Sequence, residues 1–410
     1  MTMNSLKTLI SKHGDPDALI DHWDAKSKKM AIWEFDEIFY HNYNGCYLNN
    51  KKLSGDPLVL CNKILNSWEE ESSLVHAIGY ISYDFKNHLF PHLKLRKSDN
   101  QTLIWFGKPR FIKEYNIDNK EDVEESINNK LLLTKEIPNI TAYDKSIKKI
   151  KSYLKLGETY QINYSNPREY IYDGSVFDLY MHLRNYAKPK NGFYLNTGKE
   201  QLLSVSPEKF FEVKKNNICT YPIKGTIKRS NNKLEDEKLY NKLKNSTKDK
   251  AEHLMIVDLL RNDLGKICKY GTIKTENLYK IKSFETIYHM ESTIIGELIK
   301  NIEFKDIIRA LFPGGSITGA PKERSIEIID EIENYNRSIY TGTIGYLSSN
   351  GYMNFNIAIR TLFFNLNKGV YPVGGGIVWD STTEDERLEA LNKGKVIDNI
   401  FDTAKVLEHA

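Results

Sequence analysis

From Tyr143 onward, strand-like and helical patterns alternate between glycine-rich turns, and that alternation limits the chain to an α+β or mixed α/β architecture. Strands are expected over Lys199–Val213, Ile218–Thr226, Gly342–Leu347 and Gly369–Val378. Helices are expected over Lys145–Leu156, Asp236–Leu264, Phe304–Leu311, Pro321–Glu333 and Glu384–Glu408. Upstream, HAIGYISYDF (His76–Phe85) alternates as a half-buried strand does, and the polar stretch Asp118–Lys130 reads as a surface loop or exposed helix. No repeat of solenoid period is present. The pattern does not specify a topology.

The charge balance narrows the partners. The formal net charge is +4, and basic stretches such as Lys145–Lys151 alternate with acidic ones such as Glu121–Glu125. No basic face emerges, which speaks against nucleic acid. MTMNSLKTLI lacks the pattern of a secretory signal, and no apolar run is long enough for a membrane helix. Cys46, Cys61, Cys219 and Cys268 are scattered without CxxC spacing, as expected of free thiols in a reducing cytoplasm.

Lys224 stands out, in YPIKGT at the end of a strand-like run. The Gly225–Thr226 pair that follows can turn backbone N–H groups on an anion. If its surroundings lower its pKa, the neutral amine of Lys224 becomes a nucleophile or base; a strand-end lysine in water is the alternative. Two helical segments each carry acids three residues apart: Asp249 and Glu252 in KDKAEHLMIVDLLRND, and Glu386 and Glu389 in TEDERLEALNKGK. That spacing places each pair on one face, with Lys393 extending the second stripe. Two acidic faces brought together make an all-oxygen site suited to Mg²⁺; apart, they are solvated helix faces.

PGGSITGAPK (Pro313–Lys322) and VGGGIVWDS (Val373–Ser381) allow a backbone to approach a ligand closely, though neither has P-loop or dinucleotide spacing. Arg360, amid the apolar NFNIAIRTLFF, requires a carboxylate partner, from a substrate or from the protein. In SVSPEKF, Ser206 and Pro207 suit the start of a helix, with Glu208 in its first turn. For Glu208 to serve as a general acid, burial must raise its pKa. His289, in IYHMEST, reads by default as a core histidine.

In order, the segments GETYQINYSNP, SVSPEKF, PIKGT, AEHLMIVDLLRND, YHMESTIIGEL, FPGGSITGAPK, GTIGYLS, NIAIRT, GGGIVWDS and ERLEALNK, between Gly157 and Lys395, resemble the chorismate-using enzymes. Within them they are most similar to the aminodeoxychorismate synthase component I branch, a relative of anthranilate synthase component I. The resemblance implies an α+β fold of two large stacked sheets flanked by helices. It also implies residues 1–116 as the N-terminal part of the β-core, 117–142 as a polar connector and 143–410 as the chorismate-binding catalytic region, forming one unit with the N-terminal part. By the same resemblance, Glu252 and Glu389 correspond to direct Mg²⁺ ligands, with Asp249 and Glu386 in support. Gly225 and Thr226 correspond to residues holding the ring carboxylate. Tyr346, Arg360, Gly376 and Lys393 correspond to those receiving the enolpyruvyl carboxylate, with Gly374 beside them; Ser316 and His289 correspond to residues near the ring, His289 counted with the catalytic ones. Anthranilate synthases usually carry alanine where this chain has Lys224. Isochorismate and salicylate synthases carry a water-activating lysine where it has Gln161. Both positions point to amination of chorismate at C4, on the 4-aminobenzoate and folate route, with Lys224 as nucleophile and Glu208 as acid. No cysteine lies in a GxCxG context, so ammonia is expected from a separate glutamine amidotransferase subunit. An anthranilate-forming enzyme, or another user of chorismate, is the alternative.

Overall fold

The computed structural model describes residues 5–22, 29–69, 74–97, 101–116, 131–283, 287–349, 351–401 and 404–405. Two antiparallel sheets share one long strand pair, Lys29–Asn42 with Thr102–Tyr115, whose register slips between Phe35 and Glu37. Through Met30–Ile32 the pair continues into the first sheet, running Ala18–Asp21, Asn191–Asn196, Glu200–Ser206, Thr361–Asn365, Lys368–Ile377 and Gln161–Ile171. Through Ile104–Gly107 it continues into the second, running Ala77–Ile81, Thr343–Ser348, Tyr352–Ile357, Lys209–Lys214, Asn217–Thr220 and Ile287–Glu297.

Period-two alternation stacks these sheets. Ile78 and Tyr80, Phe193 and Leu195, and Ile344 pack together in the core between the sheets. Their neighbours Ala77 and Ile81, Tyr194, and Leu347 point to the outer faces. Helices Pro57–Ser67, Thr247–Gly265 and Phe304–Leu311 cover the second sheet through Leu58, Ile256, Val257 and Ile308. Helices Leu6–His13, Val176–Ala187 and Thr383–Phe401 cover the first through Leu9, Leu179, Leu183 and Ala390. Each fully buried leucine or isoleucine contributes roughly 1.5–3 kcal/mol. This is the expected α+β fold of two stacked sheets flanked by helices.

Several expected elements are divided. Lys199–Val213 is two strands separated at Pro207–Glu208, and Ile218–Thr226 is two strands separated at Tyr221–Pro222. Proline lacks the N–H that a ladder requires, so each run breaks there. The helix start expected at Ser206 is corrected: the Ser206 hydroxyl does accept the Glu208 N–H at 3.2 Å, but the chain proceeds into strand Lys209–Lys214. Asp236–Leu264 is two helices, Lys233–Asn245 and Thr247–Gly265, parted at Ser246, whose hydroxyl caps the second. Of the 117–142 segment, 117–130 lies outside the described residues; Leu132–Lys135 is a strand and a helix begins at Ile140.

Two crossings organise the site. Glu200–Ser206 and Lys209–Lys214 lie in different sheets, as do Tyr352–Ile357 and Thr361–Asn365, and the two crossings run side by side. Glu208 occupies one and Arg360 the other, outside the regular ladders. Arg360 is therefore at a sheet-switching corner, with φ of 52°, and not within the continuous strand its apolar flanks suggest.

Candidate active site

Lys224 is half-buried on strand Ile223–Lys228, opposite Met290 of Ile287–Glu297. The register slips between Lys224 and Thr226, and Gly225 in this bulge has φ of +66°. A bulge re-aims neighbouring side chains and frees backbone groups from the ladder. A methyl on Gly225 would lie 3.1 Å from Asp249 Oδ1, so the helix start packs against this turn. A methyl on Gly376 would lie 3.2 Å from Lys224 Nζ and 3.2 Å from Gln161 Nε2, which places the amine and the amide around one glycine.

Burial lowers the Lys224 pKa below the ordinary lysine value, and Lys393 acts in the same direction. Glu252, Glu208 and Glu389 oppose the shift without cancelling it. Glu208 is 7% exposed and accepts the Ser316 hydroxyl at 3.0 Å. Burial raises its pKa to about 7, against the Ser316 hydrogen bond and Lys224, and with help from Glu291. An amine shifted down beside a carboxyl shifted up is the pattern of matched nucleophile and acid. Glu291, itself buried and ion-paired with Lys282, carried no distinguishing signal in the sequence.

The acidic helices face the same region. Burial raises the Glu252 pKa, with Asp249 and Glu389 contributing. Burial also raises Glu386, which accepts the Ser381 hydroxyl at 2.6 Å. Burial pushes Glu389 up too, but Lys393, at 2.6 Å, together with Lys224 and Arg360, holds it below the ordinary carboxylate value. Lys393 also donates to the Gly374 carbonyl at 2.7 Å, and Gly374 itself packs too tightly on Tyr164 and Ser165 for any side chain. Among the described residues no three acidic, imidazole or thiol groups form a closed cation cage. Mg²⁺ does not demand one, since it commonly keeps several waters and takes one or two carboxylates plus substrate oxygens. Carboxylates that repel one another in a partly buried site are a donor set that a divalent cation relieves, and these residues fit it.

His289 is buried opposite Thr226, and burial with Lys190, Lys282 and Arg360 lowers it to about 4, leaving a neutral imidazole at physiological pH. Arg360 acts electrostatically on His289 and Glu389 and hydrogen-bonds Tyr371, so it faces this region. Tyr346 lies in the core between the sheets, with its ring centroid 6.3 Å from those of His22 and Phe193. Gln161 is fully buried, and neither its Oε1 nor its Nε2 has a protein partner. All four cysteines are free thiols, and among the described residues no helix is long and apolar enough to cross a membrane.

Residues 23–399 match the family model described as chorismate binding enzyme. The chain is 39% identical over 259 residues to anthranilate synthase component 1 of Saccharolobus solfataricus, covering 63% of this chain and 62% of that protein. It is 40% identical over 251 residues to aminodeoxychorismate synthase component 1 of Escherichia coli, covering 61% and 55%. These alignments thus span a little over half the length of those relatives. The component 1 protein of aminodeoxychorismate synthase from Bacillus subtilis is 32% identical over 380 residues, covering 83% of this chain and 81% of its own. The crystal structure of anthranilate synthase component I from Streptococcus pneumoniae superposes with a TM-score of 0.77 at 22% identity, covering 91% and 93%.

Proposed function

Because the chain belongs to the chorismate-binding enzymes, we propose that it aminates chorismate at C4, giving 4-amino-4-deoxychorismate. The observation that carries this reading is Lys224: a half-buried amine with a lowered pKa, beside the raised carboxyl of Glu208. Lys224 Nζ bonds to C2 as both ring double bonds shift, C1=C2 to C1=C6 and C5=C6 to C4=C5, and the C4–O bond breaks with a proton delivered by Glu208, releasing water and leaving the lysine nitrogen as an alkylammonium. Ammonia then bonds to C4, both double bonds shift back, and the C2–N bond breaks, returning the electron pair to Lys224 as a neutral amine. The surplus proton goes to the Glu208 carboxylate, and the enolpyruvyl ether is untouched.

Glu252 and Glu389, supported by Asp249 and Glu386, would hold Mg²⁺, which supplies charge neutralisation for the ring carboxylate when bound. Gly225 and Thr226 orient that carboxylate, while Arg360, Gly376 and Lys393 receive the enolpyruvyl carboxylate, beside Gly374; Tyr346, packed in the core between the sheets, is left out of this set. Ser316 and His289 shape the ring site. Ammonia would come from a separate glutamine amidotransferase subunit, a reading supported by the component 1 designation of the relatives. The setting would be the cytoplasm, on the route to 4-aminobenzoate.

Formation of anthranilate is the second reading, favoured by the 39% identity to an anthranilate synthase component 1. Mass spectrometry of the products from chorismate, Mg²⁺ and an ammonium salt at mildly alkaline pH separates the two. A product that keeps the enolpyruvyl group and yields 4-aminobenzoate with an added lyase supports C4 amination. Anthranilate with free pyruvate overturns it.

A further inference from the structure

Arg337 is 1% exposed and uses every N–H of its guanidinium inside the protein. Nε donates to Glu333 Oε2 at 2.8 Å and Nη2 to Glu333 Oε1 at 2.7 Å. Nη2 also reaches the Asn163 carbonyl at 2.6 Å, while Nη1 reaches the Ile317 carbonyl at 2.9 Å and Thr341 Oγ1 at 3.2 Å. Glu333 in turn accepts the backbone N–H and the hydroxyl of Ser165, both at 2.8 Å. A guanidinium offers five donors in a fixed planar fork, and a lysine cannot reproduce them.

These bonds tie together three walls of the site. Ile317 directly follows Ser316, the residue that donates to Glu208. Asn163 lies two residues from Gln161 on the same strand and donates its own N–H to the Thr318 carbonyl at 2.8 Å. The Thr341 N–H donates at 2.9 Å to the carbonyl of Ala358, two residues before Arg360. We propose that Arg337 is a positioning residue: it fixes the Ser316 turn against Glu208 and thereby sets the orientation of the acid. The inference rests on the acid role proposed above for Glu208. The groups facing Glu208 are Ser316, Lys224 and Glu291, the last ion-paired with Lys282. Because the Ser316 hydrogen bond favours the Glu208 carboxylate, loosening it moves the Glu208 titration upward.

The test is the pH dependence of kcat and KM for Arg337→Lys, Thr341→Val, Ser316→Ala and the Ser316→Ala/Arg337→Lys pair, alongside thermal melts. The expected result for Arg337→Lys is a kcat loss on the order of tenfold, with KM for chorismate within about twofold. Its alkaline limb should move upward, as in Ser316→Ala, and the pair should lose less than the product of the single effects. Thr341→Val, which keeps the Glu333 fork, should show a smaller shift in the same direction and decides the matter if Arg337→Lys does not fold. An alkaline limb at the wild-type position in the folded variants, or multiplicative losses, would overturn the inference. Failure of the acid role is separate: the wild-type limb would then survive Glu208→Gln.

Discussion

Lys393 and Glu389, one helical turn apart, are held at 2.6 Å, and the same ammonium spans to the Gly374 carbonyl at 2.7 Å. A metal ion that takes Glu389 therefore competes with Lys393 for the carboxylate. Glu252→Gln and Glu389→Gln should each abolish Mg²⁺-dependent turnover while leaving the melting transition in place. Titrating activity against Mg²⁺ checks this; wild-type activity at limiting Mg²⁺ in either variant refutes the metal assignment.

Lys224→Ala should reduce 4-amination by about 10³-fold or more, since no other amine adjoins Glu208 in the described site. In the wild type, chorismate supplied without ammonia should leave a covalent adduct on Lys224, detectable by intact-protein mass spectrometry. An adduct that persists in Lys224→Ala, or full activity in that variant, removes the covalent role.

The raised pKa of Glu208 makes a stability prediction independent of turnover. A carboxyl shifted from 4.5 to about 7 binds its proton more tightly folded than unfolded, so the folded state loses stability as pH rises between those values. The loss amounts to about 3 kcal/mol. Glu208→Gln, with nothing to ionise, should gain on the wild type by that order between acid and neutral pH in denaturant titrations. Its kcat should fall about 10²–10⁴-fold and its alkaline limb should vanish. A stability difference independent of pH would mean that Glu208 titrates normally.

Gly225→Ala meets two obstacles: a φ of +66° and a new methyl 2.9 Å from Leu243 Cδ1. The left-handed backbone alone costs about 1–2 kcal/mol. Both stability and kcat/KM should fall, because the bulge that aims Lys224 would have to shift. Gly157→Ala, at φ of +73° with open space around it, is the control: it should lose stability but not activity.

How much of this was readable in advance depended on local or distant causes. Helix Phe304–Leu311 was legible to the residue because its amphipathic period and its Glu303/Asp306 capping box are local signals. The breaks at Pro207 and Pro222 were written in the chain as missing donors, yet the surrounding alternation outweighed them. For Ser206 and Pro207, a helix start and a turn between strands share the same first hydrogen bond; only pairing with Tyr352–Ile357, some 150 residues away, decides between them. The paired acids Asp249 and Glu252, and Glu386 and Glu389, were legible from their three-residue spacing. Glu291 and the Arg337 fork were not, because their importance comes from neighbours that only the folded chain supplies.

The crossings at Glu208 and Arg360 have a consequence for how such a site can diverge. Both residues sit on the fold line where paired strands pass from one sheet to the other, so any change in the angle between the sheets moves them together. A substitution at that line would disturb both the packing where the strands cross and the placement of Glu208 and Arg360. Lys224 and Gln161 flank it on strand faces, where one side chain can be exchanged while the scaffold stays as it is. On the proposed reading, exchanging Lys224 or Gln161 would alter the reaction while the fold line stays constant.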